Sequence, residues 1–165
     1  MISYIGNAMF IPSQHLKWFQ SLSKKIGLDN AQQAIDAGGL LFGDVVVTFN
    51  PCLTVGAEDH LLLQSPLGRL PGGGEAILRR LLEVQLLMAG SSGPTFGIAP
   101  HSDLLVTSVV LKPKEISSEQ AEDVLRGMIY LVRKLRSDLK MTPDSSSLSS
   151  ARPRSAATAE GSMKW

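Results

Sequence analysis

The rhythm of hydrophobic and polar positions changes several times along this chain. Leu16, Phe19, Leu22 and Ile26 recur at helical spacing, with Trp18 beside them. Pro12 and Ser13 offer a helix start, and Gly27-Leu28 a C-terminal cap with its apolar contact, so a helix is predicted over about 12–27. Ala31, Ala34 and Ile35 suggest a further helical turn, ended by Gly38-Gly39. Then β-branched residues take over. Val45-Val46-Val47-Thr48-Phe49 is a strand bounded by Gly43-Asp44 and Asn50-Pro51. Cys52–Val55 reads as a shorter second strand, Gly56–Asp59 as a turn, and His60–Ser65 as a third strand. Short turns between them predict an antiparallel meander.

The chain is organised around the stretch from Gly72 to Ala89, which reads as a helix. Three glycines let the chain turn in, Glu75 suits a helix N-terminus, and Gly90 marks the stop. Its apolar residues overflow one face. Ile77, Leu81, Val84 and Met88 form one row; Leu78, Leu82, Leu86 and Ala89 widen it, and Leu87 adds to it. Such a helix calls for burial on more than one side, by other helices or by a second copy of the protein.

Thr95–Ala99 is a fourth strand, and Leu104–Leu111 a fifth with apolar residues on both faces, as an interior strand has. Ser117 and Gln120 stand at capping-box spacing before the last helix. Its clean face is Ala121, Val124, Leu125, Met128, Leu131, Val132, Leu135 and Leu139, with Arg126, Arg133, Lys134 and Arg136 assigned to the other sides. The pattern stops at Met141. Residues 141–165 read as a disordered tail poor in large apolar groups, after one domain over 1–140. The predicted fold is α+β, in the order α-β-β-β-α-β-β-α, with helices packed on a mostly antiparallel twisted sheet.

Charge narrows the function classes. Residues 1–140 carry 13 Lys/Arg and 13 Asp/Glu, so the body is neutral and lacks the basic field that nucleic acid or an anionic membrane would select. Aromatics at 5% also weaken a base-stacking reading. No apolar run approaches the roughly 18 residues of a membrane span, and no secretory signal pattern is present, which predicts a cytoplasmic protein. The single cysteine, Cys52, excludes an internal disulfide and reads as an inert thiol.

Chemistry-bearing motifs are sparse. His15, His60 and His101 are isolated from one another, with no metal-ligand spacing, and no nucleophile elbow occurs. Gly72-Gly73-Gly74 before a helix, with Arg79 and Arg80 nearby, could cradle a phosphate. The P-loop lysine and βαβ context are missing, so tight-turn glycines explain the stretch better. The expectation is a protein without cofactor, metal or catalysis.

Several stretches, in order, carry a likeness. They are Leu40-Leu41-Phe42-Gly43-Asp44, Leu61-Leu62-Leu63, Leu67-Gly68-Arg69-Leu70-Pro71, Leu81 to Leu87, and Gly97 to Val106. Over about residues 12–140 the chain resembles the class I type III secretion chaperones, the family that includes the Tir chaperone. The resemblance implies a non-enzymatic homodimer in the bacterial cytoplasm. It would hold the N-terminal segment of a secreted effector extended until a secretion ATPase receives the complex. It also implies that the segment adds a β-strand to a sheet edge and sets apolar side chains in grooves. Carried over by position, Leu16, Phe19, Ile26, Val45, Val47, Phe49, Leu61 and Leu63 would face the effector. Leu78, Leu82, Leu86, Phe96 and Ile98 would form the dimer interface. Two alternatives stand beside this: a small ligand- or phosphate-binding protein or enzyme using Gly72–Gly74 and Arg79/Arg80, or an adaptor of the same fold that binds folded partners.

Overall fold

The computed structural model describes residues 15–28, 32, 35, 39–52, 60–88, 90, 93–100 and 102–141. Within them three helices and five strands follow the predicted order: α1 (Leu16–Lys25), β1 (Leu40–Phe42), β2 (Val45–Pro51), β3 (Leu61–Arg69), α2 (Glu75–Leu87), β4 (Thr95–Ile98), β5 (Leu104–Leu111) and α3 (Ser118–Asp138). The strands form one antiparallel sheet in the order β1-β2-β3-β5-β4. The α+β class holds.

The first hairpin differs from the sequence expectation. Leu40–Phe42 is a strand of its own, paired Leu40↔Val47 and Phe42↔Val45, where the sequence suggested only a lead-in. Gly43 turns the corner at φ +65°, the left-handed backbone that a two-residue hairpin loop requires. Cys52 stands outside the strands, its N–H donating to His60 O, and the rest of the expected Cys52–Val55 strand lies outside the described residues. So do Pro12, Ser13, Ala31, Ala34, Ala89, His101 and the tail beyond Met141.

One face of the sheet holds the core. Val45, Val47, Phe49, Leu61, Leu63, Leu105, Val109 and Leu111 meet Phe19, Leu22 and Ile26 of α1 and Ala121, Leu125, Met128, Ile129 and Val132 of α3. Phe19 and Phe49 pack edge to face with ring centroids 5.3 Å apart, a geometry favoured by the ring quadrupoles. Trp18 Nε1 donates to Ile116 O, and Lys25 pairs with Glu119, tying α1 to the start of α3.

Local signals set the helix ends. Leu28 N–H reaches Ser23 O and Gly27 N–H reaches Lys24 O, the paired bonds of a Schellman cap. Ser117 Oγ accepts from Gln120 N–H while Gln120 Oε1 accepts from Ser117 N–H, so the capping box is reciprocal. The opposite sheet face carries a polar row across four strands, Thr48, Gln64, Ser108 and Thr95, in cross-strand register. Asn50 donates to both Thr48 Oγ1 and Gln64 Oε1, and the Thr95 and Ser108 hydroxyls bond each other.

Candidate interaction surfaces

α2 departs from its expected setting. The sequence asks for burial on more than one side, yet within this chain only Leu81 is buried on that helix. Ile77 and Leu78 are half-buried against the core. Leu82, Leu86 and Leu87 are 62%, 75% and 86% exposed, so the other described helices do not supply the missing cover. The helix lies against β4, where Gln85 Oε1 accepts from Phe96 N–H at 2.9 Å. Ile98, on that strand, is also exposed. Of the five residues proposed for a dimer interface, Leu82, Leu86 and Ile98 therefore present open apolar surface. Leu78 and Phe96 lean partly on the core and anchor that surface from beneath.

The residues proposed to face an effector are placed differently. Phe19, Val45, Val47, Phe49, Leu61 and Leu63 are fully buried and Ile26 nearly so, their surface spent on one another and on α3. A side chain already enclosed by its own core offers no surface to another chain without opening that core. Leu16 alone of that set keeps part of its surface, packed at the core's margin. The reason is parity: Val45, Val47 and Phe49 share one face, as do Leu61 and Leu63, and that face turned toward α1 and α3. Besides Ile98, the apolar positions left open on the described strands are Leu41 and Val110.

The phosphate alternative is not favoured, although Gly72 and Gly73 stand in open space. Gly74, rather than opening a cradle, is pressed against Leu70, where an added Cβ would sit 2.7 Å from Leu70 Cδ2. That close approach explains a small residue without any ligand. Arg79 and Arg80 are solvent-exposed side chains of α2. Among the described residues no group of three or more His, Cys, Asp or Glu could hold a metal ion, and no helix is long and apolar enough to cross a membrane.

A charged site that the sequence reading missed lies where α3 meets the β1–β2 turn. Arg136 is buried and stands on the core row, not on the other sides of the helix as assigned. It donates to Pro66 O, Leu67 O and Asp44 O, and to the Asp44 carboxylate at 3.1 Å. Burial lowers the Arg136 pKa, and the facing Asp44 carboxylate pulls the other way. Arg133 donates to Phe42 O and to the other Asp44 oxygen. The missed signal was spacing: Arg136 stands four residues beyond Val132 and seven beyond Ile129, on the buried row.

Comparison with known proteins places this arrangement. The model of the Tir chaperone protein (CesT) family matches residues 17–136, most of the chain and all of its described elements except their outermost ends. The chain belongs to the Tir chaperone family. Solved structures of similar fold include the HopA1-SchA chaperone-effector complex, with TM-score 0.57 and 16% identity, covering 73% of this chain and 91% of that one. The Yersinia pestis type III secretion chaperone SycH, in complex with a stable fragment of YscM2, gives 0.56 and 18%, covering 72% and 97%. The ExsC-ExsE complex gives 0.59 and 20%, covering 75% and 92%. No curated protein sequence matches the chain, so the kinship rests on the family pattern and the fold.

Proposed function

We infer that this member of the Tir chaperone family is a homodimeric, non-enzymatic type III secretion chaperone of the bacterial cytoplasm. It binds the N-terminal segment of one or more exported effectors and keeps that segment extended. The family match over residues 17–136 carries the reading. The solved chains of similar fold include two chaperones held with an effector or a partner fragment, which supports the same assignment.

The open apolar stripe of α2, continued by Ile98, supports a second copy of the chain as its cover. Leu78, Leu82, Leu86, Phe96 and Ile98 form that interface, with Leu87 added. The effector meets the dimer elsewhere. Leu16 on α1 and Leu41 on β1 offer apolar anchors, while Phe19, Ile26, Val45, Val47, Phe49, Leu61 and Leu63 shape that surface from within. Strand addition takes place at β1. The opposite edge, β4, already has its Phe96 N–H engaged by Gln85 and borders the dimer stripe. Among the described residues β1 has a strand neighbour on one side only. Main-chain pairing gives such a site affinity for many sequences, and alternate side chains give it preference.

Affinity capture of the tagged protein from its own bacterium, with mass spectrometry of what is retained, tests the reading. A secreted protein retained through its N-terminal segment supports it. Retention of folded cytoplasmic proteins alone would move the assignment to an adaptor of the same fold.

A further inference from the structure

β1 is three residues long and, among the described residues, pairs only with β2, with Leu40 buried in the core and Phe42 packed against it. A second hold comes from α3, some 90 residues away in sequence. Arg133 donates to Phe42 O at 3.0 Å and to Asp44 Oδ1 at 3.1 Å. Arg136 donates to Asp44 O at 3.0 Å and Asp44 Oδ2 at 3.1 Å. The one Asp44 carboxylate is therefore shared by two guanidinium groups, and two backbone carbonyls of the turn are taken as well.

The other end of Arg136 explains why it can be buried there. β3 carries a bulge: Pro66 stands opposite Val106 and Gly68 opposite Leu105, leaving Leu67 without a partner on β5. Arg136 Nε and Nη2 satisfy Leu67 O and Pro66 O at the bulge, at 3.0 and 2.8 Å. One side chain thus joins the β3 bulge to the β1–β2 turn. Gly43 belongs to the same device, because a Cβ there would stand 3.0 Å from Arg133 Nη2.

We propose that Asp44, Arg133 and Arg136 are positioning residues that hold β1 as a preformed pairing edge, so that an incoming extended segment need not order β1 as it binds. This rests on the chaperone reading above and adds to it the groups that set the receiving edge. A segment that must order its own edge binds more weakly by the ordering cost, and a pre-set edge removes that cost. Arg133 is partly exposed, so its removal leaves the core of the protomer intact, whereas Asp44→Asn also takes the counter-charge from buried Arg136, which makes Arg133→Ala the cleaner variant.

Amide hydrogen exchange on the full chain provides the test, with Arg133→Ala and Asp44→Asn compared against Val109→Ala, a core change on β5 away from the turn. The clamp variants are expected to speed exchange over residues 40–45 by about tenfold, the opening expected when charge-assisted bonds are lost. Their affinity for the secreted segment captured by the wild-type chain is expected to fall by about tenfold as well. Val109→Ala is expected to lower the thermal midpoint without either effect. Unchanged exchange at β1 overturns the proposal, and so does faster exchange with unchanged affinity. If the wild-type chain captures no secreted segment, the chaperone reading fails instead, while the exchange comparison still decides whether the clamp orders β1.

Discussion

Leu81 and Leu86 stand on the same helix, yet an aspartate should act in opposite ways at the two positions. Leu86 is 75% exposed in the single chain, and Leu81 is 3% exposed within the core. In the dimer proposed here Leu86 is covered by the second copy. Covering a leucine stabilises association by roughly 1.5–2 kcal/mol, and placing an unpaired carboxylate in the contact costs a few kcal/mol more. Leu86→Asp should therefore weaken the dimer by about 4 kcal/mol, or about a thousandfold in dissociation constant. The protomer should keep its fold, because Leu86 contributes little to the core. Leu81→Asp should instead unfold the protomer, since the charge has no route to solvent. Sedimentation or light scattering across a concentration series reads the dimer, and far-UV circular dichroism reads the fold. A Leu86→Asp protein that stays dimeric down to the wild-type limit refutes the interface. A wild-type protein that is monomeric at high concentration refutes the explanation of the exposed stripe altogether.

Other expectations follow from the same contacts. Arg136→Leu should cost roughly 3 kcal/mol or more in urea unfolding, because it strands the Pro66 and Leu67 carbonyls at the bulge. A variant as stable as the wild type would show that water replaces the guanidinium. Ser117→Ala should lose about 1 kcal/mol by removing one arm of the capping box, measurable as a lowered midpoint in calorimetry. The Lys25–Glu119 pair gives a pH signature. The hydrogen bond from Lys25 holds the Glu119 carboxyl below its ordinary value of 4.5, so its contribution is present above that value. It is lost as pH falls through the lowered folded value. Glu119→Gln should flatten that part of the acid unfolding curve slightly, the pair being exposed, and leave the neutral midpoint nearly unchanged.

Local signals were the legible part of the sequence. The capping box at Ser117 and Gln120 and the Gly27-Leu28 cap each need only a few neighbouring residues, and both formed as the spacing implied. The helix order and the long β5 strand were readable for the same reason. β1 was not, because Leu40-Leu41-Phe42 is too short to display alternation, and Arg133 and Arg136, which bond its end and its turn, come from the other end of the chain. Strand parity marks Val45, Val47 and Phe49 as one face but carries no sign for inside or outside. Residues read as effector-facing thus became the core once α1 and α3 lay over them. Arg136 shows the opposite failure. Its charge assigned it to the sides away from the apolar face, while its place on the row of Ile129 and Val132 put it inside, where carbonyls at a bulge receive it. The excess of leucines on α2 was legible as a demand for cover, and the stripe is open in the single chain, as the proposed dimer requires.

Native mass spectrometry of the captured complex, joined to hydrogen exchange on the bound segment, reads whether an exported chain is held extended on a dimer. Two copies of this chain with one segment are expected, the segment protected along a strand-like stretch and otherwise exchanging as an unfolded chain does. A bound partner with cooperative, fully protected structure, or a complex holding a single copy of this chain, would contradict that arrangement.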